Sequence, residues 1–202
     1  MGHTGRVPTP DPLTVTGLLL AAGAGRRMGM PKALVSTDGV PWVRRAAEVL
    51  LDGGCAEVVV VLGAAEPEAR EALADVEEGL TVIVCPTWER GMGESLRSGI
   101  AALQARSAQA ALVHLVDLPD VGAAVVRRLL AAATGRDALA RAAYDGVPGH
   151  PVLIGGDHLP GVAELAVGDS GAREYLRRHR PALVECGDLA GGRDVDRMPP
   201  DA

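Results

Sequence analysis

The chain has 202 residues, 48% of them hydrophobic, only 2% aromatic and none of them Phe, with a formal net charge of -6 at pH 7. That is enough apolar material for one domain whose core is built from Leu, Val and Ala, which requires many close contacts between helices and sheet. The acidic balance argues against nucleic acid or an anionic membrane surface as the main partner, so basic residues that act on a ligand must do so locally.

The opening "MGHTGRVPTPDP" is polar and Pro-rich and has no apolar stretch long enough for a signal peptide or a membrane span. Residues 1–14 read as a disordered lead-in and 15–202 as a single domain. Apolar runs bounded by Gly, Asp or Pro predict strands at Val15–Ala22, Glu57–Leu62, Leu80–Cys85 and Ala111–Val116 that are buried on both faces, as parallel strands are. Between them Pro41–Leu51, Glu66–Ala74 and Glu94–Ala105 carry apolar residues at helical spacing, with Leu96, Ile100 and Leu103 forming one face. Asp120 is placed to cap a further helix with Val125, Val126, Leu129 and Leu130 on its stripe. The order βαβαβαβ implies right-handed crossovers and a three-layer α/β/α, Rossmann-like sheet. Ala138–Tyr144 and Pro151–Ile154 flank "DGVPGH" and predict a hairpin, so the mostly parallel sheet becomes mixed in its C-terminal half. A last helix, Gly171–His179, and a strand near Ala182–Cys186 precede the tail "DVDRMPPDA". Cys55, Cys85 and Cys186 are odd in number and lack CxxC spacing, which suits reduced thiols in the cytoplasm rather than a disulfide framework or a zinc site.

Ligands of such sheets sit at the carboxyl ends of the parallel strands near the switch point, where the loops after Ala22, Cys85 and Val116 meet. The first of these lies in "GLLLAAGAGRRMGMPKALV", Gly17–Val35. Gly23, Gly25 and Gly29 miss the dinucleotide fingerprint G-x-G-x-x-G by one residue, and Lys32 followed by Ala33 lacks the Lys-Ser/Thr pair of a P-loop. What remains is a strand ending in small residues, an extended glycine loop and fixed cations. Ala21, Ala22 and Gly23 allow a base or sugar to approach the backbone, and loop amides with Arg26, Arg27 and Lys32 can surround a triphosphate. An ordinary strand-to-helix turn with solvated arginines is the competing interpretation of the same residues.

"LAAGAGRRMGMPK" resembles the L-A-A-G-x-[SG]-x-R-M-G-x-x-K opening of the nucleotidyltransferases that handle molybdenum cofactor, the MocA/MobA-like group of the pyrophosphorylase superfamily. In the same order, "WERGMGESLRSGI" resembles W-x-x-G-M-x-x-S-L-x-x-G, "LVDLPDV" G-D-M-P-x-V, "GHPVLI" G-H-P-V-L-F and "GDSGAR" G-D-x-G-A-R, across Leu18 to Asp196. The resemblance implies transfer of a nucleotide to a phosphorylated acceptor with loss of pyrophosphate. An acceptor phosphate is already anionic, so the task is to bring anions together and stabilise the leaving group.

Arg27 and Lys32 are the expected ligands of the β- and γ-phosphates and, with Asp117, the catalytic set; Leu20, Ala21, Ala22, Gly23, Gly25 and Arg26 complete the nucleotide site. Ser95, in the first turn of its helix, can contact base, ribose or acceptor phosphate. Asp117 is expected to end the fourth strand and hold Mg2+, the role that the resemblance assigns it, with a helix cap as the plain alternative. Asp194 and Asp196 stand where the family often shows D-I-D-T-P-E-D, and Asp196 is the second metal candidate, although "DVDRMPPD" departs from that pattern and a solvated acidic terminus competes with it. The resemblance places His150 on the acceptor side; Asp169 and Ser170 are natural caps, or, with Gly171, part of a loop that meets the acceptor. His114, on a buried strand, is expected to be a satisfied core residue. Cys85 stands where the family often carries Asn, and Trp88 and Met92 either line the pocket or pack the loop.

The resemblance thus implies a molybdopterin-type acceptor and a molybdenum enzyme as recipient of the product. Ala22, where guanylyl-transferring relatives more often show Gly, points to CTP over GTP because its methyl would crowd a purine. Another phosphorylated acceptor, a nicotinamide- or flavin-linked reductase, and a non-catalytic nucleotide-binding maturation partner are the alternatives.

Overall fold

The computed structural model describes residues 13–76 and 78–196. The expected lead-in lies outside them except for Leu13 and Thr14, and so does the tail from Arg197 onward.

Three strands form the centre: β1 (Val15–Leu20), β4 (Glu57–Leu62) and β6 (Ala110–Leu115). Every residue of β1 is buried, because helices cover both faces of the sheet. Alternation divides the apolar side chains of one strand between two cores: Val58, Val60 and Leu62 enter one, Val59 and Val61 the other. The first core is closed by α1 (Trp42–Asp52) and α4 (Ala123–Leu130). The second is closed by α3 (Met92–Ala105), α5 (Leu159–Leu165) and α6 (Arg173–His179). In α3 the expected face of Leu96, Ile100 and Leu103 is buried, and Ser95 lies beside it.

The remaining strands are β5 (Leu80–Val84), β7 (Leu139–Tyr144), β8 (Val147–Gly155) and β9 (Ala182–Glu185), and the seven-stranded order is β5-β4-β1-β6-β8-β7-β9. All neighbours of β1 and β4 are parallel, and β8 runs antiparallel to both β6 and β7, so it is the single reversed strand of the expected mixed sheet. The chain leaves β1 toward β4 and β5, then returns to place β6 on its other side. The switch point therefore falls between β1 and β6, whose carboxyl ends carry the glycine loop and Asp117.

Several boundaries differ from expectation for local reasons. The hairpin turn is confined to Asp145 and Gly146, at φ 52° and 77°, so Val147–His150 join β8 and His150 is a strand residue, not a loop residue. Asp120 does not cap α4, whose N-cap is Gly122; its carboxylate accepts hydrogen bonds from the Gly191 and Gly192 amides instead. Asp169 and Ser170 do not cap α6 either, since Ala172 holds that position and the Ser170 hydroxyl donates to Val167 O. Short α2 (Glu66–Glu71) ends before Ala74. A small hairpin, β2 (Ser36–Thr37) with β3 (Val40–Pro41), and α5 add to the expected elements. Pro160 and Gly161 weaken the helical pattern of α5, but Pro is tolerated in a first turn, and burial of Leu159 and Val162 holds the segment.

Candidate active site

Strand β1 ends at Leu20, yet the backbone stays beside β4: the Ala21 amide donates to Val61 O and the Ala64 amide to Ala22 O, both at 3.0 Å. The small residues keep this rim low, and the chain then turns through the glycine loop. Gly25 has φ 59°, and a Cβ there would sit 1.9 Å from Met30 O, so the turn admits only glycine.

Above this rim opens a cleft of about 380 Å³ lined by Leu20, Ala22, Gly23, Gly25, Arg26, Lys32 and Ser95, with Trp88 and Asp117 among its other walls. Ala21 is not among them: it is 1% exposed and packs into the core under α1. Trp88 reaches the cleft by lying across Gly63, where a Cβ would fall 2.6 Å from Trp88 Cγ. Cys85, fully buried beneath, presents no side chain to this cleft.

A second cleft, of about 990 Å³, is lined by Arg27, Asp145, His150, Asp194 and Asp196, and shares Lys32, Asp117, Met92 and Asp169 with the first. The shared residues mark where contents of the two clefts would meet. Here Lys32 Nζ donates to Asp117 Oδ2 and to Asp196 Oδ1, each at 2.7 Å, and Arg27 donates to Asp196 Oδ2 at 3.0 Å. Arg27 is thus on the second cleft and 77% exposed. Burial works against the Lys32 ammonium, but the hydrogen bonds to Asp117 and Asp196 outweigh it and lift its pKa above the usual lysine value. The Lys32 hydrogen bond and charge hold Asp196 below the ordinary carboxylate value.

Asp117 lies two residues beyond the end of β6 rather than in the strand. Its Oδ1 is buried with no hydrogen-bond partner among the described residues. The Val195 amide donates to Asp117 O at 2.9 Å and so ties the tail to this turn. One ligand atom each of Asp117, Asp194 and Asp196 lies within 4.8 Å of the others. A solvated acidic terminus would leave Asp194 and Asp196 apart from Asp117; the tail contact brings them together. Three carboxylates, one with an idle buried oxygen, fit a hard divalent cation.

In the second cleft, Tyr144 Oη donates to His150 O at 2.6 Å. Burial and then the nearby Arg141 charge bring the His150 pKa down to about 4, which leaves a neutral imidazole on the cleft wall at neutral pH. Asp169 lines both clefts, whereas Gly171 lines neither and packs against Met92. His114 is buried as expected but not satisfied: Nδ1 lacks a partner among the described residues, and burial followed by the His150 charge lowers its pKa to about 3. Arg141 and Arg173, missed as site residues, also line the second cleft. The available signal was a lone arginine in the otherwise apolar "LARAAY" of β7.

A glycine loop at the switch point, with a lysine and a carboxylate joining two clefts, belongs to the nucleotidyltransferase class of enzyme. The chain belongs to the MobA-like NTP transferase domain family, which matches residues 17–183. It is 43% identical over 196 residues to nicotine blue oxidoreductase of Paenarthrobacter nicotinovorans, covering 91% of this chain and 93% of that protein. It is 32% identical over 148 residues to molybdenum cofactor guanylyltransferase of Rhodobacter capsulatus, covering 72% and 66% of the two. Its fold superposes on the manganese complex of a Mycobacterium tuberculosis H37Rv protein with a TM-score of 0.67 at 25% identity, covering 86% of this chain and 87% of that one. Among the described residues no helix is long and apolar enough to cross a membrane.

Proposed function

We propose that the protein transfers CMP from CTP to the phosphate of a molybdopterin-type acceptor and releases pyrophosphate, in the cytoplasm and for use by a molybdenum enzyme. The observation that carries this reading is the junction: the first cleft takes the nucleotide, the second the acceptor, and Lys32 and Asp117 belong to both. Lys32 sets a fixed cation beside the phosphates, and Arg26 and Arg27 add charge at the rims of the two clefts. The second cleft holds the acceptor with its phosphate toward the junction, where two anions must approach each other. His150, neutral at pH 7, offers that acceptor a hydrogen bond, and Asp169 stands where both substrates pass. Asp117, Asp194 and Asp196 would hold Mg2+, which neutralises phosphate charge when bound. The relative crystallised with manganese supports a divalent cation in this fold. Ala22 on the wall of the first cleft supports CTP over GTP, because its methyl narrows the space for a base.

The experiment is pyrophosphate release from CTP, GTP, ATP and UTP in separate reactions with Mg2+ and molybdopterin. CTP-selective, pterin-dependent release supports the proposal. Release only with a different phosphorylated acceptor keeps the chemistry and changes the substrate, and nucleotide binding without release favours the maturation partner.

The 43% identity to nicotine blue oxidoreductase supports a second reading, reduction of a planar heteroaromatic compound by a nicotinamide nucleotide in the first cleft. The shifted glycine register weighs against it. Oxidation of NADH or NADPH by the purified protein with such a compound, and no pyrophosphate from any nucleotide, would replace the transferase reading.

A further inference from the structure

Beside the acceptor cleft lies a smaller one, of about 370 Å³, lined by Arg141, Arg173, Arg177 and Arg180 with Leu176 and Leu183 among its apolar walls and no acidic residue. Arg141, Pro148 and Arg173 line both clefts, so one molecule can span them, whereas Lys32 and Asp117 line only the larger. Of the other arginines on this half of the chain, Arg128 pairs with Asp188, Arg136 with Asp157, and Arg178 and Arg177, the latter on this same cleft, with Glu174, whereas Arg180 at its edge pairs with no carboxylate among the described residues. Among the described residues Arg141 and Arg173 have no carboxylate partner. Arg141 is half-buried, and its Nε donates to Gly149 O at 2.7 Å, which fixes the guanidinium while its terminal nitrogens have no hydrogen-bond partner among the described residues. Burial, and after it the Arg173 charge, bring its pKa below the usual arginine value. Two neighbouring guanidiniums held together without an anion cost free energy that a bound oxyanion would offset, and their planar forks suit a carboxylate or a phosphate.

We propose that Arg141 and Arg173 form an anion subsite that binds a second oxyanion of the acceptor, distinct from the phosphate that reacts at the Lys32–Asp117 junction. The proposal rests on the transferase reading for the word acceptor, but the subsite itself does not. The acceptor is then a molecule with anionic groups at both ends and an apolar or planar middle that passes Pro148 and His150, which within the molybdopterin class means a form whose metal end carries oxo groups, because the metal-free pterin has only the reacting phosphate.

The test is equilibrium dialysis of radiolabelled inorganic phosphate against the full chain with saturating CTP and Mg2+, so that the nucleotide site is filled. One phosphate per chain is expected in addition to the nucleotide. Arg141→Gln and Arg173→Gln should each weaken it tenfold or more while CTP affinity, read by calorimetry, stays within twofold, and Arg141→Lys should recover part of the loss. Competition by acetate assigns the subsite to carboxylates, and resistance to acetate assigns it to phosphates; both agree with the proposal. Phosphate bound equally by both Gln variants, or no phosphate bound by the wild-type chain, overturns it. If CTP itself fails to bind, the transferase reading fails, and the same comparison in a Lys32→Ala background still decides the subsite.

Discussion

Replacing Lys32 with Met removes the ammonium and keeps most of the side-chain volume. Its hydrogen bond to Asp117, whose side chain is 17% exposed, is charge-assisted and contributes about 1.5–3 kcal/mol. The bond to Asp196, 43% exposed, contributes roughly 0.5 kcal/mol once solvent screening is counted. The variant should therefore lose about 2–3.5 kcal/mol of unfolding free energy at pH 7, measured by urea titration with Trp fluorescence. Its pH dependence follows from the Asp196 shift. Because the folded-state pKa is depressed, the contribution of that pair is complete above the ordinary value of 3.8 and is lost as pH falls through the folded value, so the gap between the two proteins should narrow below about pH 4. Lys32 behaves in the opposite sense: its raised pKa keeps its contribution up to 10.5, and the gap should narrow again as pH rises beyond that. In the transfer assay the missing cation should lower kcat by about 10²–10³, the size found when a preorganised charge-stabilising donor is removed. A variant as stable as wild type at pH 7, or one with full turnover, would refute the assignment of Lys32 as the cation of the junction.

Asp117→Asn should retain the fold and lose turnover by about 10²–10³ together with Mn2+ binding measured by calorimetry; retained Mn2+ binding would remove Asp117 from the metal set. His114→Leu should flatten the acid limb of stability. With a folded-state pKa of about 3 against 6.5 unfolded, the unfolded chain takes up the proton first as pH falls, so wild type should lose about 2 kcal/mol more than the variant between pH 7 and pH 5. Equal pH profiles in urea titration would show that His114 does not remain neutral there. Gly63→Ala places a Cβ 2.6 Å from Trp88 Cγ and 2.8 Å from Ala22 O. Overpacking of about 1–3 kcal/mol should push the indole off the cleft wall and weaken CTP about tenfold in a binding titration.

Periodicity made most of the fold legible. Runs such as "EVVVVL" have few alternatives to a strand buried on both faces, and Leu96, Ile100 and Leu103 can share a buried face only on a helix. The glycine loop was equally legible as a turn, because positive φ at Gly25 is a local requirement. What sequence could not settle was pairing between distant segments. Asp120 and Asp169 look like caps to anything that reads a few residues at a time, yet the strap at Gly191 and Gly192 claims the first and the two clefts share the second. Lys32 meets Asp117 and Asp196 across 85 and 164 residues of chain, and that contact exists only because the β1–β6 switch point and the Val195–Asp117 hydrogen bond bring three segments to one rim. Ala21 turned into the core, and Arg141 turned out of it, by the alternation of strands whose neighbours the sequence does not name. The sequence by itself determined most of the strands and helices and the glycine turn after β1, since those depend on spacing and local conformation, while α5 and the β2–β3 hairpin emerged only with the fold. Tertiary structure alone decided which charges neutralise one another and which are left for a ligand, because an ion pair depends on distance in space.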